Sequence, residues 1–308
     1  MKVWRSLDGL KSIKNAVLTI GTYDGVHIGH QSIIKRVNDL AKSVDGSSVL
    51  ITFHPHPRVV VNTERKVMLL SSLEEKIDLL EQYGLQNLVV VPFTRAFSQM
   101  SPKEYIKGFL LENFDLNTIV IGYNHKFGKN RSGDFNFLIE QSKELDFQVE
   151  QISEQELESI SVSSTKVRES LTEGNVKRAN FLLGHEYFLR GTVIKGKQLG
   201  KTLGFPTANL LVESKEKLVP RNGVYAVRVN LADKNYTGML NIGYRPTVSG
   251  EHLSIEVNIF DFDQDIYGEQ LQLSFVDFLR EEIKFGGVVD LKKQLSKDKL
   301  RAKEILSP

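Results

Sequence analysis

The hydrophobic period of this chain changes once, near residue 185, and that change constrains its fold more than any other feature. Before it, short β-branched runs at Val17–Ile20, Val49–Phe53, Leu88–Val91 and Thr118–Ile121 alternate with helical patterns. Unbroken apolar runs of this length read as strands buried on both faces, the signature of a parallel sheet covered by helices. One helix pattern, residues 30–44, places Ile33, Ile34, Val37, Leu40, Ala41 and Val44 on a single stripe. Ser101-Pro102-Lys103-Glu104 joins an N-cap, a proline at the first helical position and a capping-box glutamate, which predicts a helix through Leu111. A helix over Val176–Leu183 is closed by Gly184. Beyond it, Tyr225, Val227, Val229 and Leu231, then Ile255, Val257 and Ile259, alternate with period two, as antiparallel strands do. Glycines recur there as bends, which suits a small closed barrel, and Leu291, Leu295, Ala302 and Ile305 predict a final helix packed on it. The expected fold class is α/β: a parallel-sheet, Rossmann-like domain over 1–183, then a small antiparallel β-barrel with a C-terminal helix over 184–308. A chain of 308 residues is long enough for each domain to bury its own core.

Composition narrows the chemistry. With no cysteine, disulfides, thiolate metal sites and cysteine nucleophiles are excluded. A formal charge of +2 is too small to lay a basic stripe across the surface, so nucleic-acid binding is not expected. Asp8 and Lys11 interrupt the N-terminal segment where a signal peptide needs a continuous apolar run, and no later run reaches membrane-spanning length. The expected location is the cytoplasm, and the expected assembly a monomer or weak homo-oligomer.

The first chemical constellation follows strand Val17–Ile20, where Gly21-Thr22-Tyr23-Asp24-Gly25-Val26-His27-Ile28-Gly29-His30 leads into a helix expected to start near His30. A strand-to-helix junction aims backbone amides and the positive end of the helix dipole outward, so a phosphate chain is its natural guest. Glycines at 21, 25 and 29 let the main chain approach that guest, and His27 and His30, three apart, project the same way and can donate to phosphate oxygens. Alone, this stretch would equally suit a capped helix after a tight turn. Residues 160–168, ISVSSTKVR, add hydroxyls and cations before another helix, a composition that clamps the distal phosphates of a nucleoside triphosphate.

The second constellation is GTVIKGKQLGKTLGFPTAN, residues 191–209. Gly196, Gly200 and Gly204 interleave with Lys195, Lys197 and Lys201 in a cationic loop suited to a triphosphate. Thr207 and Asn209 offer two neutral oxygens one residue apart, suited to a magnesium ion that keeps water and phosphate ligands.

GTYDGVHIGH with ISVSSTKVR resembles the HxGH nucleotidyltransferase superfamily, and FHPHP (53–57) with GYNHKFGKNRSGD (122–134) narrows the resemblance to bacterial bifunctional FAD synthetases. GFPTAN, VPRNGVYAV (219–227), NIGYRPT (241–247), SIEVNIFDF (254–262), DIYG (265–268) and FLREEIKF (278–285) resemble the flavokinase half of that family. The resemblance implies a riboflavin kinase in the barrel and an FMN adenylyltransferase in the parallel-sheet domain. It also implies two ATP sites, magnesium at each, and riboflavin, FMN and FAD as substrates and products. Carried over by motif, His27 and His30 would contact the reacting phosphates, with Gly21, Tyr23, Asp24 and Gly29 forming the loop that binds ATP. Ser164, Thr165 and Arg168 would hold the distal phosphates, and Asn124, Phe127 and the Pro55-His56-Pro57 turn would shape the flavin pocket. In the barrel, Gly196, Lys201 and Gly204 would bind ATP, Thr207 and Asn209 the metal, and Glu256 would act as base, with Arg280 helping to hold the flavin. This chain has Tyr23 where many relatives have Phe, Asn258 where many have His, and Gly184-His185-Glu186-Tyr187 where many have Gly-Arg-Pro-Tyr. Two other readings compete with this one: that a single half is active, or that the chain is an RNA-binding or aminoacylation-related protein, which a near-neutral charge disfavours.

Overall fold

The computed structural model describes residues 1–307 apart from 62–66, 124, 154–161, 197–198, 233 and 248–249. It divides into two compact units, Met1–Ser164 and Thr165–Pro308.

The first unit is built on six strands: β1 (Lys2–Trp4), β2 (Ala16–Ile20), β3 (Ser47–His54), β4 (Asn87–Pro92), β5 (Leu116–Gly122) and β6 (Gln148–Ile152). They pair in the order β1-β4-β3-β2-β5-β6, every pair parallel. The four expected strands are the four central ones. β2 is buried along its whole length, as a strand covered on both faces must be. The two edges were not expected: Lys2–Trp4 is too short to show a period, and Gln148–Ile152 carries three polar residues among five.

Helix α1 (Ile28–Ser43) buries Ile34, Val37 and Ala41, and the last two pack with Val17 of β2 and Val120 of β5. It starts two residues before the expected position because His27 caps it. α2 (Leu73–Gln82) opens on a complete Ser72/Glu75 capping box. The capping box at Ser101 and Glu104 forms as expected, but the helix it starts widens over Tyr105–Leu111 into i→i+5 bonding. α3 (Phe135–Leu145) is capped by Asp134 and precedes β6. Because the chain steps outward from β2 to β4 and then returns to β5, the direction of winding reverses between β2 and β5. Ligands of open parallel sheets bind outside the carboxyl ends of the strands at that reversal.

The second unit begins within α4 (Ser164–Thr172), whose first residue still belongs to the first unit, and continues into α5 (Val176–Leu183). Asn180 ties α5 to the barrel by donating from Nδ2 to Phe275 O at 2.8 Å and accepting the Tyr187 amide at 2.8 Å. The division between the compact units therefore falls after Ser164, ahead of both helices' packing on the barrel unit. The barrel consists of β7 (Phe188–Ile194), β8 (Ala208–Leu211), β9 (Gly223–Leu231), β10 (Lys234–Thr247), β11 (Gly250–Ile259) and β12 (Gln270–Arg280). It closes in the order β10-β11-β8-β7-β12-β9 with all pairs antiparallel, so no strand edge is left open. Tyr225, Val227, Val229, Leu240, Ile242, Val257, Leu273 and Phe275 are buried completely. On the outside, Val224, Ala226, Met239, Phe260 and Leu279 form a second apolar patch, covered by Ala302 and Leu306 of α6 (Val288–Leu306).

Candidate active sites of the two units

In the first unit the candidate site lies at the carboxyl end of β2. Gly21 extends the β2 ladder by donating to Ile51 O at 3.0 Å, after which the chain turns sharply. Tyr23 (φ 47) and Val26 (φ 41) both adopt left-handed conformations that cost a side-chain-bearing residue energy, and Gly25 stands between them at φ 79. Such strain persists only where the surroundings fix it. Tyr23 is buried, with its hydroxyl 2.8 Å from Thr19 Oγ1. The Asp24 carboxylate accepts the amides of Leu70 at 2.9 Å and Ser71 at 3.1 Å, while Gly25 N donates to Ser71 Oγ. Tyr23 and Asp24, expected in the loop that binds ATP, hold that loop in its strained turn through these contacts.

The turn delivers two stacked histidines. The His27 and His30 rings lie 3.6 Å apart, centre to centre, and only 13° from parallel. His27 is the N-cap of α1, its Nδ1 accepting the His30 amide at 3.3 Å, so in the neutral ring Nε2 carries the proton. Burial holds His30 well below the usual imidazole range, and the charges of His27 and Lys76 push the same way. His30 Nδ1 is buried with no hydrogen-bond partner among the described residues. Lys76 on α2 is itself buried, which lowers its ammonium to about 8 against the opposing pull of Asp24. Sequence reasoning missed Lys76: an i,i+4 stripe on a capped helix gives no sign that one lysine turns inward.

Gly29 is buried in the first turn of α1. Pro55 follows β3 and is exposed, while His56 is buried with Nδ1 accepting the Arg58 amide at 3.1 Å. Phe127 is buried among Tyr105 and Phe137, and it bridges to Gly133 after β5. Asn124 lies outside the described residues. Ser164 Oγ, at the start of α4, donates to Asp24 O at 3.1 Å, which ties the middle of the ISVSSTKVR segment to the strained turn. Thr165 is exposed and Arg168 half-buried, three residues apart on one face of α4.

In the barrel, strand register assembles the site. Glu256 on β11 stands directly opposite Asn209 on β8 and Asn241 on β10, so the three side chains share the outer face. Glu256 Oε1 accepts from Ser254 Oγ at 2.8 Å and lies 3.8 Å from Arg245 Nε. Gly196 lies closely against Asn209: a Cβ there would come within 2.2 Å of Asn209 Nδ2. Gly200 brings the main chain of the short Leu199–Leu203 helix to Thr207 in the same way, where its Cβ would be 3.2 Å from Oγ1. Gly204 is exposed at φ 81, and the Lys201 side chain lies outside the described residues. Asn258, in the place of the more usual histidine, donates to Pro206 O at 2.7 Å and so fastens β11 to the turn before Thr207. Among the described residues no cluster of three or more His, Asp or Glu side chains is arranged to hold a metal. Thr207 and Asn209 instead offer a hydroxyl and an amide oxygen, hard neutral donors that suit magnesium completed by water and phosphate.

Arg280, expected to help hold the flavin, is anchored within the second unit by an ion pair. Its guanidinium grips the Asp298 carboxylate of α6, Nε at 3.0 Å and Nη2 at 2.6 Å, rather than Glu281 or Glu282 side chains. Asp298 is buried and also accepts from Gln294 Nε2 at 2.8 Å. The pair was hidden in the sequence because α6 docks back on the barrel and brings together residues 18 apart.

A family model described as FAD synthetase matches residues 10–166, and one described as riboflavin kinase matches residues 183–306. A bifunctional riboflavin kinase/FMN adenylyltransferase from Listeria monocytogenes is 39% identical over 286 residues, covering 92% of this chain and 90% of its own. The protein of the same description from Bacillus subtilis is 37% identical, covering 93% of this chain and 91% of its own. A crystal structure described as a macrolide-efflux protein from Streptococcus pneumoniae matches with a TM-score of 0.87 at 28% identity, covering 98% of both chains. The efflux activity belongs to the description of that protein; no described helix of this chain is long and apolar enough to cross a membrane. With a family model matching each half, and relatives at 37–39% identity along nearly the whole length, the chain belongs to the bifunctional riboflavin kinase/FMN adenylyltransferase family.

Proposed function

We propose that this chain makes FMN in its barrel and FAD in its parallel-sheet domain, with 1–183 and 184–308 as the two catalytic domains. In the first domain FMN attacks the α-phosphorus of ATP and pyrophosphate leaves. The attacking phosphate is already anionic, so catalysis is alignment and charge stabilisation rather than base chemistry. The observation that carries this reading is the histidine stack at the N-terminus of α1, at the point where the sheet reverses its winding. His27 Nε2–H donates toward the reacting phosphates, and the helix N-terminus adds fixed positive charge beside a His30 that burial holds neutral. Gly21 and Gly29 let ATP approach the turn that Tyr23 and Asp24 hold. Ser164, Thr165 and Arg168 take the distal phosphates. Pro55, His56, Asn124 and Phe127 shape the flavin side, with Phe127 acting through the hairpin it anchors.

In the barrel the ribityl 5′-hydroxyl of riboflavin attacks the γ-phosphorus of a second ATP. Glu256 takes the proton, a new P–O bond forms, and ADP leaves. A neutral nucleophile gains from this base, unlike the FMN phosphate in the other reaction. Gly196, Lys201 and Gly204 cover the triphosphate, and Thr207 with Asn209 would hold magnesium. That ion, when bound, neutralises charge on the phosphates and fixes their geometry. Arg280 acts as a positioning residue, locking the end of β12 to α6 beside the flavin. We further propose a cytoplasmic enzyme, monomeric or weakly associated, that does not bind nucleic acid.

The test is a time course of purified protein with riboflavin, ATP and magnesium, resolving FMN and FAD. His27→Ala with His30→Ala should abolish FAD formation and spare FMN formation. Glu256→Ala should abolish riboflavin phosphorylation while FMN added directly still becomes FAD. Loss of both activities in either folded variant would refute the division of labour.

A further inference from the structure

One polar cluster on the barrel does more than the reaction above requires. Asn241, Gly243 and Arg245 alternate along β10 and share a face with Glu256, which stands opposite Asn241. Glu282, two residues beyond β12, reaches onto this face. Its Oε1 accepts from Asn241 Nδ2 at 3.2 Å and from Arg245 Nη1 at 3.1 Å. The carboxylate lies directly over Gly243, where a Cβ would come within 2.1 Å of that oxygen. Only a residue without a side chain leaves the notch open. Arg245 is thus placed between two carboxylates, the proposed base at 3.8 Å and a second one to which the reaction gives no part.

A guanidinium and a primary amide converging on one carboxylate form an oxyanion site. We propose that the Asn241–Gly243–Arg245 notch binds a phosphoryl oxyanion of the kinase reaction, and that Glu282 fills it as an intramolecular stand-in until ATP displaces it. This inference rests on the barrel being the kinase and Glu256 its base. The phosphoryl group is transferred to the oxygen whose proton Glu256 accepts, so its outer oxygens gather charge beside Arg245. The exchange is easy because the stand-in is weakly held. Arg245 and Glu282 side chains remain 41% and 34% exposed, and ion pairs at such exposure are weak and salt-screened. Glu282 also has a use in the empty site: it draws Arg245 toward the notch and keeps it from closing on Glu256, so the base stays available.

Steady-state FMN formation from riboflavin and magnesium–ATP, measured on the full chain, tests this. Glu282→Gln, and independently Glu282→Ala, should lower KM for ATP by roughly two- to fivefold, the scale of one exposed ion pair, with kcat little changed. Arg245→Met should raise KM for ATP and lower kcat about tenfold or more, and Arg245→Lys should restore part of both by returning the charge without the fork. The thermal unfolding transition of the barrel, followed by circular dichroism, reports that each variant is folded. If both Glu282 variants leave KM for ATP unchanged or raise it, or if Arg245→Met lowers kcat with KM for ATP unmoved, the notch is a strut and the inference fails. Full kinase activity in Glu256→Ala would instead overturn the assignment of the base, whatever the Glu282 variants do.

Discussion

Asp298→Ala should loosen α6 from the barrel by a predictable amount. The carboxylate is 4% exposed and accepts three contacts from Arg280 and one from Gln294, so its removal strands a guanidinium whose side chain is 17% exposed. Among the described residues, the bond that survives is Arg280 Nη1 to Glu281 O at 2.8 Å. Removing one partner of a buried ion pair costs about 3–5 kcal/mol, because the remaining charge is left uncompensated. Partial access of water to Arg280 places this case near about 3 kcal/mol, or roughly a hundredfold in the ratio of docked to undocked helix. Hydrogen exchange along Val288–Leu306 reads that ratio directly, and protection there should fall by a comparable factor. Trp4, the only tryptophan, sits in β1 of the other unit, so its fluorescence monitors that unit separately. FMN formation should fall with helix docking, and conversion of added FMN to FAD should persist. Exchange across the helix that changed by less than about threefold would refute the reasoning, since a buried pair cannot lose one member so cheaply.

Gly196→Ala should damage the kinase without unfolding the barrel. Its Cβ would come within 2.2 Å of the Asn209 amide, the movable end of a side chain, so the amide is displaced and FMN formation should fall about tenfold or more while the melting temperature stays nearly constant; equal activity would show that Asn209 does not serve the site. Acid should destabilise the protein from about neutrality downward. His125 and His185 are both lowered by burial from 6.5 to about 4, and His30 lies well below its usual value. The unfolded chain binds protons below 6.5 that these folded histidines refuse, so stability is complete above that pH and falls toward 4, by at most about 1.4 kcal/mol per pH unit for each group. Urea midpoints at pH 7.5 and 5 measure the loss, which His125→Gln should reduce; midpoints that did not move with pH would remove burial as the cause.

The parallel sheet and the barrel were both legible because each buries a distinctive pattern: solid apolar runs such as Val17–Ile20, or alternation such as Tyr225, Val227 and Val229. What escaped was long-range pairing. Nothing local tells that Glu256 faces Asn209 on one side and Asn241 on the other, since register is fixed by hairpins and by the closure of the barrel. Arg280 has acidic neighbours at 281 and 282, yet its partner is Asp298, chosen by the docking of a helix. Tyr23 and Asp24 lie inside a recognisable motif, but the sequence does not distinguish residues that touch a ligand from residues that hold the loop in a strained turn. Of the candidate site, the residue types were readable and their supports were not.

The imidazole of His27 closes α1 through Nδ1, and in the proposed reaction the same ring also serves the phosphates, which would join the integrity of a helix to the handling of phosphate. Few side chains can stand in for it. Serine or asparagine would preserve the closure but present no donor at the same reach, whereas lysine or arginine would present charge and forfeit the closure. A position bound by two such demands has little room to drift, and gradual exchange there passes through proteins that are either frayed or inert.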